Sequence, residues 1–176
     1  ELYDKIIKRY ENRKNNEKLF FMGITMQNHG GYTETYDNFP ENYYKVGRSY
    51  TDANQYLSLV HESDEAVKNL ISYFSKVDDP VEIIFFGDHQ PSLNSNFYPI
   101  LNGKGLTGLT EDELEKLYTV PFFIWTNYDT PEETVDITSL DYLSTMALER
   151  AGIELPAYNK FLADMQEVVP AINSRG

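Results

Sequence analysis

The 176-residue sequence contains no cysteine, which excludes a disulfide framework, a thiolate metal site and a cysteine nucleophile without assigning a redox compartment. Histidine is scarce, with three in the chain, so imidazole chemistry has only His29, His61 and His89 to draw on. Positive charge is also in short supply: 15 Lys and Arg face 28 Asp and Glu, for a formal charge of −13. That balance disfavours a broad basic surface for a polyanion, and no nucleic-acid partner is expected. No window approaches the roughly 18 to 20 apolar residues of a spanning helix. The opening ELYDKIIKRYENRK is not a signal peptide, and the expectation is a soluble piece cut from something longer. Internal repeats and low-complexity tracts are missing as well.

What is present is 41% hydrophobic and 14% aromatic residues, enough for one ordinary domain over residues 1–176. Helix-like and strand-like segments alternate, which favours an α/β layered architecture. Leu2, Tyr3, Ile6, Ile7 and Tyr10 have the spacing of one helical face. KLFFMGITM, residues 18–26, reads as a buried strand. The stretch from Gln27 to Tyr50 is polar and aromatic, broken at Gly30, Gly31, Pro40 and Gly47, and its tyrosines could line a substrate groove. Residues 51–77 carry the longest helical period, with Thr51 or Asp52 as cap and Leu57, Val60, Val67, Leu70, Ile71 and Phe74 as one stripe. A second strand is predicted over Val81 to Phe86 and a third over Val120 to Asn127. Helices are predicted from about Thr110 to Tyr118 and from Ser139 to Ala151, the latter ended by a left-handed Gly152, with one more short helix in the tail. Three apolar strands separated by helices predict a mostly parallel sheet flanked by helices, whose ligands gather beyond the carboxyl ends of its strands.

The polar residues after those strands are therefore the candidates. TMQNHGGY after the first strand contains His29, and VEIIFFGDHQPSL places Asp88 and His89 at the end of the second. Neighbours in a regular strand point to opposite faces, so Asp88 and His89 reach one ion only where the chain bends, as Gly87 and Pro91 allow. A carboxylate beside a neutral imidazole suits zinc, manganese or a similar divalent ion. Spacing alone serves equally for an aspartate capping the next turn and a histidine bonded to backbone. His61 reads as helix-edge packing and Trp125 as core. Asp64 falls on the apolar stripe, where burial would require a hydrogen-bonding partner.

Taken in order, FFMGITMQNHGGY, YLSLVHESDEAVKNLISYF, VEIIFFGDHQP, VPFFIW and SLDYLSTMALERAGIELP resemble the carboxyl-terminal part of the sulfatase-like catalytic domain of the alkaline phosphatase superfamily. The likeness covers almost the whole chain and is strongest toward the lipoteichoic acid synthase and phosphoglycerol transferase branch. The resemblance implies that Asp88 and His89 are ligands to one catalytic divalent metal, Mn2+ first and Mg2+ or Zn2+ as alternatives. It implies that His29 contacts the transferred phosphate or the leaving oxygen. It further implies a phospholipid or glycerol phosphate donor, an envelope polymer or glycan acceptor, and a site at the extracellular face of a bacterial cytoplasmic membrane. The parent protein is expected to carry a transmembrane region.

The family's metal-binding glutamate and nucleophilic threonine belong to an amino-terminal half that nothing here matches. Glu62 lies within a helix after the first matching motif, and Thr25 inside the matching strand, so neither takes those roles. The chain is expected to hold no nucleophile and to be an incomplete enzyme alone. Gln90 and Pro91 follow the Asp-His pair where many sulfatases have glycine, which bears on substrate class. A sulfatase or phosphodiesterase of the same superfamily, and a non-catalytic binding domain retaining the fold, are the alternative readings.

Overall fold

The computed structural model describes residues 1–32, 36, 39 and 50–172. Helices predominate beside one small sheet: α1 (Leu2–Glu11), α2 (Thr51–Phe74), β1 (Glu82–Phe86), α3 (Tyr98–Asn102), α4 (Glu111–Glu115), β2 (Phe122–Thr126), α5 (Leu143–Arg150) and α6 (Ala157–Val168). The residues fall into two units, one of residues 1–76 and 89–119, the other of residues 77–88 and 120–176.

In the first unit α1 lies along the end of α2. The Tyr10 ring meets Phe74 edge-on at 5.1 Å, and the Tyr73 hydroxyl donates to Glu11 Oε1 at 3.1 Å. This is the apolar face of α1 that the spacing predicted, with Leu2 and Ile6 reaching Gly23. The predicted stripe of α2 is buried in its second half, at Val67, Leu70 and Phe74. In the first half the buried residues are Ala53, Asn54, Gln55, Ser58 and Leu59, while Val60 is exposed. The helix turns a small, polar face inward there, and Ser58 Oγ satisfies itself on Asn54 O at 2.7 Å. Tyr50 is the N-cap and no side chain caps the helix. Asp52 instead sits inside the first turn, where its carboxylate accepts from Ala53 N and Asn94 N. Two short elements inside the turn-rich connection were not anticipated: α3, closed by Gly103 at φ +73°, and a 3-10 turn at Leu106–Gly108. α4 begins with a capping box in which Thr110 and Glu113 satisfy each other's backbone N–H groups.

Residues 18–26 depart from expectation. They join no sheet among the described residues. Phe20, Met22, Ile24 and Met26 are 88%, 72%, 73% and 64% exposed. An apolar run identifies extended chain, but a strand exists only where another backbone offers a complementary ladder. Among the described residues none is offered to this segment.

The second unit contains the sheet, and here the prediction of parallel strands is corrected. β1 and β2 pair antiparallel, with Glu82 opposite Thr126, Ile84 opposite Ile124 and Phe86 opposite Phe122. Alternation of helices and strands does not fix direction: the long connection from β1 to β2 returns the chain in either sense. Phe85 and Phe123 stack at 5.4 Å across the pair. Gly87 N donates to Pro121 O at 3.2 Å, one step beyond β1. A Cβ at Gly87 would lie 3.0 Å from Val120 Cβ, so a larger residue here would have to push Val120 aside.

α5 and α6 pack together around buried Tyr142, Thr145 and Leu162. Tyr142 OH donates to Val169 O at 2.8 Å and Asn159 Nδ2 to Thr145 Oγ1 at 3.0 Å. α5 ends as predicted: Gly152 takes φ +67°, with Ile153 N bonded to Leu148 O and Gly152 N to Glu149 O. These are the paired bonds of a Schellman cap.

Asn127 closes the open end of the sheet. Its Oδ1 accepts from Val81 N at 2.7 Å, and its Nδ2 donates to Val77 O and Asp79 O at 3.1 and 2.8 Å. Asn127→Ala is expected to lower stability by about 2 to 3 kcal/mol in urea unfolding, since each satisfied bond contributes roughly 1 kcal/mol. A loss below about 0.5 kcal/mol would show that water replaces all three.

Glu82 faces Tyr128 and Arg150, and its Oε2 and Arg150 Nε are buried without hydrogen-bond partners. Burial raises the Glu82 carboxyl above its ordinary 4.5, opposed by the charge of Arg150 and the bond from Tyr128. The folded state therefore holds this proton more tightly than the unfolded one. The resulting stability is fully present below 4.5 and is lost as pH rises through the raised value. Relative to Glu82→Gln, the wild-type urea midpoint is expected to fall across that window; parallel pH curves would remove Glu82 from the linkage.

Candidate functional site

The loop bearing His29 is built on α2. Residues 26–29 form a tight turn with His29 N bonded to Met26 O at 3.1 Å. The two residues before His29 reach toward the helix. Gln27 Nε2 donates to Leu59 O at 3.3 Å and to Ser63 Oγ at 3.4 Å, and Ser63 Oγ donates to Asn28 Oδ1 at 3.1 Å. Leu59 and Ser63 are four apart and therefore share one helix face. On the far side of the turn Tyr32 OH donates to Asn28 O at 2.7 Å, and its buried ring meets Tyr56 of α2 edge-on at 5.4 Å. His29 itself is exposed. An anchored turn that ends in an exposed imidazole is suited to meeting a ligand from solvent.

Tyr32 is thus a packing residue, Tyr50 lies against Phe97 and Tyr36 is exposed, while residues 33–35, 37, 38 and 40–49 of the expected groove lie outside the described residues.

Asp88 and His89 follow the last ladder bond of β1, and both are exposed. The bend that the sequence required is there: β1 ends at Phe86, before the pair. His89 Nδ1 lies 2.9 Å from Gln90 O. A ring nitrogen facing a carbonyl carries the hydrogen, so in the neutral imidazole Nε2 keeps its lone pair. That is the tautomer a metal ligand needs, with the other nitrogen held by a carbonyl. Gln90 Nε2 in turn donates to Thr119 O. The donor chemistry of this pair fits a divalent ion. Among the described residues, however, no three His, Asp or Glu side chains form a metal-binding group, so the pair by itself does not make a complete ligand set.

The other candidates are placed plainly. Thr25 is exposed in the extended segment, and Glu62 is half-buried in the middle of α2. His61 is half-buried at the helix edge, as expected, and has an interaction partner. Asp64 is exposed and not on a buried stripe, because the inward face of α2 shifts toward Ser58 and Leu59. Trp125 is half-buried in β2. Sequence reasoning missed Gln27, Asn28 and Ser63. The first two stood in the quoted motif, but nothing in a sequence pairs Asn28 with a serine 35 positions on.

The Sulfatase family model matches residues 1–153, so the match spans both the His29 turn and the Asp88-His89 loop. A Rhizobium meliloti (strain 1021) protein named for cyclic beta-1,2-glucan modification is 28% identical over 159 residues, covering 86% of this chain and 25% of the relative. The capsular polysaccharide biosynthesis protein RkpI of the same strain is 33% identical over 91 residues, covering 52% of this chain and 15% of the relative. The chain thus spans a quarter or less of these curated relatives. Among solved structures, the Streptococcus pyogenes phosphoglycerol transferase GacH in complex with sn-glycerol-1-phosphate superposes with a TM-score of 0.72 at 19% identity. That superposition covers 99% of this chain and 42% of GacH, and shows a shared fold. With the family model matched from residue 1 to residue 153, this α/β chain belongs to the sulfatase family, whose fold is alkaline phosphatase-like.

Proposed function

We propose that this chain is the carboxyl-terminal part of a metal-dependent phosphotransferase domain, which moves phosphoglycerol or a similar group to a cell-envelope acceptor. The observation that carries the reading is the Asp88-His89 pair, adjacent and exposed just past the end of β1, with His89 Nδ1 turned to Gln90 O at 2.9 Å. The fold shared with a phosphoglycerol transferase and relatives named for glucan modification and capsular polysaccharide biosynthesis support the substrate class. The donor is a glycerophospholipid or free glycerol phosphate, and the acceptor a glycan or envelope polymer. The reaction takes place at the outer face of a bacterial cytoplasmic membrane. No helix among the described residues is long and apolar enough to cross a membrane, so in this reading the anchor belongs to polypeptide outside residues 1–176.

Asp88 and His89 would hold the ion, manganese first, with magnesium or zinc as alternatives. The ion's contribution is Lewis-acid neutralisation of phosphoryl charge and a lowered pKa for a coordinated hydroxyl. His29, at the end of its anchored turn, contacts a phosphoryl or leaving-group oxygen and supplies a hydrogen bond as negative charge develops there. Glutamate and threonine, as further ligand and nucleophile, come from polypeptide outside these residues. A sulfatase or phosphodiesterase would use the same ligands, and the match to the Sulfatase model favours keeping that second reading.

In the full-length protein, Asp88→Ala and His89→Ala are each expected to weaken Mn2+ binding in calorimetric titration, and unchanged affinity would remove the ligand assignment. His29→Ala is expected to lower turnover by roughly 100-fold, the scale of a lost proton-transfer or charge-stabilising group, with Mn2+ occupancy retained. Turnover is followed as release of glycerol phosphate from a glycerophospholipid beside release of sulfate from an aryl sulfate. Sulfate release alone would establish the second reading, and full activity without His29 would take it out of the site.

A further inference from the structure

We propose that Ser63 of α2 is a positioning residue for His29, acting through the side chains of Gln27 and Asn28. The inference rests on the role proposed for His29. Its geometry stands independently. The Ser63 hydroxyl accepts from Gln27 Nε2 at 3.4 Å and donates to Asn28 Oδ1 at 3.1 Å, so one oxygen ties two consecutive residues of the turn to one point on the helix. A serine hydroxyl has one proton and two lone pairs, and this arrangement uses it in both senses.

The remaining ties of the turn leave a specific freedom for Ser63 to remove. Gln27 holds Leu59 O, and Tyr32 holds Asn28 O. Both could persist while the Asn28 side chain swings, because neither touches its amide. Ser63 is the hydrogen bond given to Asn28 Oδ1, on the residue immediately before His29. Losing it frees the Asn28 side chain from α2 and loosens the seat of the turn on the helix, and with it the direction of an exposed imidazole, while the bonds of His29 N to Met26 O and of Tyr32 OH to Asn28 O keep the turn itself closed. Gly30 has open space around its Cα and restrains nothing. Holding this turn is what a polar residue at mid-helix is suited for: a leucine at position 63 would bury more apolar area but leave Asn28 Oδ1 without its donor on the helix and Gln27 with Leu59 O alone.

The test uses Ser63→Ala, Ser63→Thr, His29→Ala and the Ser63→Ala/His29→Ala pair in the full-length protein. Local amide hydrogen exchange reads the clamp without reference to activity. In Ser63→Ala, exchange across residues 27–31 is expected to rise several-fold while the rest of α2 is unchanged, and Ser63→Thr is expected to restore protection. Unchanged exchange in Ser63→Ala would overturn the clamp. Turnover in Ser63→Ala is expected to fall about tenfold, comparable to one lost hydrogen bond, with KM and Mn2+ affinity little altered. The double variant is expected to be no slower than His29→Ala alone, since a residue acting through His29 has nothing left to position. Multiplying effects would show that Ser63 acts elsewhere and overturn the proposal. Full turnover in His29→Ala overturns the functional role of His29, a result distinct from unchanged exchange.

Discussion

The antiparallel ladder between β1 and β2 is the constraint on which the Asp88-His89 loop depends. Its register is continued by the Gly87 N bond to Pro121 O and closed at the other end by Asn127. Gly87 is therefore held at a fixed place before it releases the chain. A side chain there would crowd Val120. A glycine required for close approach is also what allows the next residue to leave the pleat. One local requirement thus fixes where the ladder ends and where Asp88 begins.

The same logic governs the His29 turn, with a helix as the rigid element. α2 is long enough to serve two purposes along its length. Its second half buries Val67, Leu70 and Phe74 in the manner of an ordinary amphipathic helix, with Phe74 against Tyr10 of α1. Its first half buries Asn54, Gln55 and Ser58 and offers Leu59 O and Ser63 Oγ to the turn. Apolar contacts are non-directional, whereas hydrogen bonds demand defined distances and angles. A turn that must present one imidazole in one direction is better held by the second kind.

This division explains what the sequence made legible. Apolar periodicity located α1, the second half of α2 and α5, while α6 was expected only as one short helix somewhere in the tail. Glycine chemistry located the end of α5 at Gly152. Apolar runs located β1 and β2, and the change from apolar to polar at Gly87 located Asp88 and His89. Strand direction and partnership were not legible, because a ladder is a property of two backbones and a run of side chains reports on one. Residues 18–26 show this most clearly: their composition is that of a buried strand, yet Phe20, Met22, Ile24 and Met26 face solvent. The inward face of α2 at Ser58 and Leu59 was missed for a related reason, since a polar residue buried by self-satisfying bonds carries no hydrophobic signal.

The chemistry divides in the same way. An imidazole whose Nδ1 faces the carbonyl of the following residue has its tautomer set by its own chain segment. The Nδ1 side of the His89 ring is thus held locally. A complete ligand set is different, because divalent ions take four or more donors and these must converge from separate parts of a fold. Among the described residues Asp88 and His89 form no such group of three. Two adjacent donors bind weakly where nothing completes the shell, and in the proposed reading the affinity for an ion is a property of the assembled domain. Local features can prepare a ligand's protonation state in advance, but only the assembled fold can make the site tight.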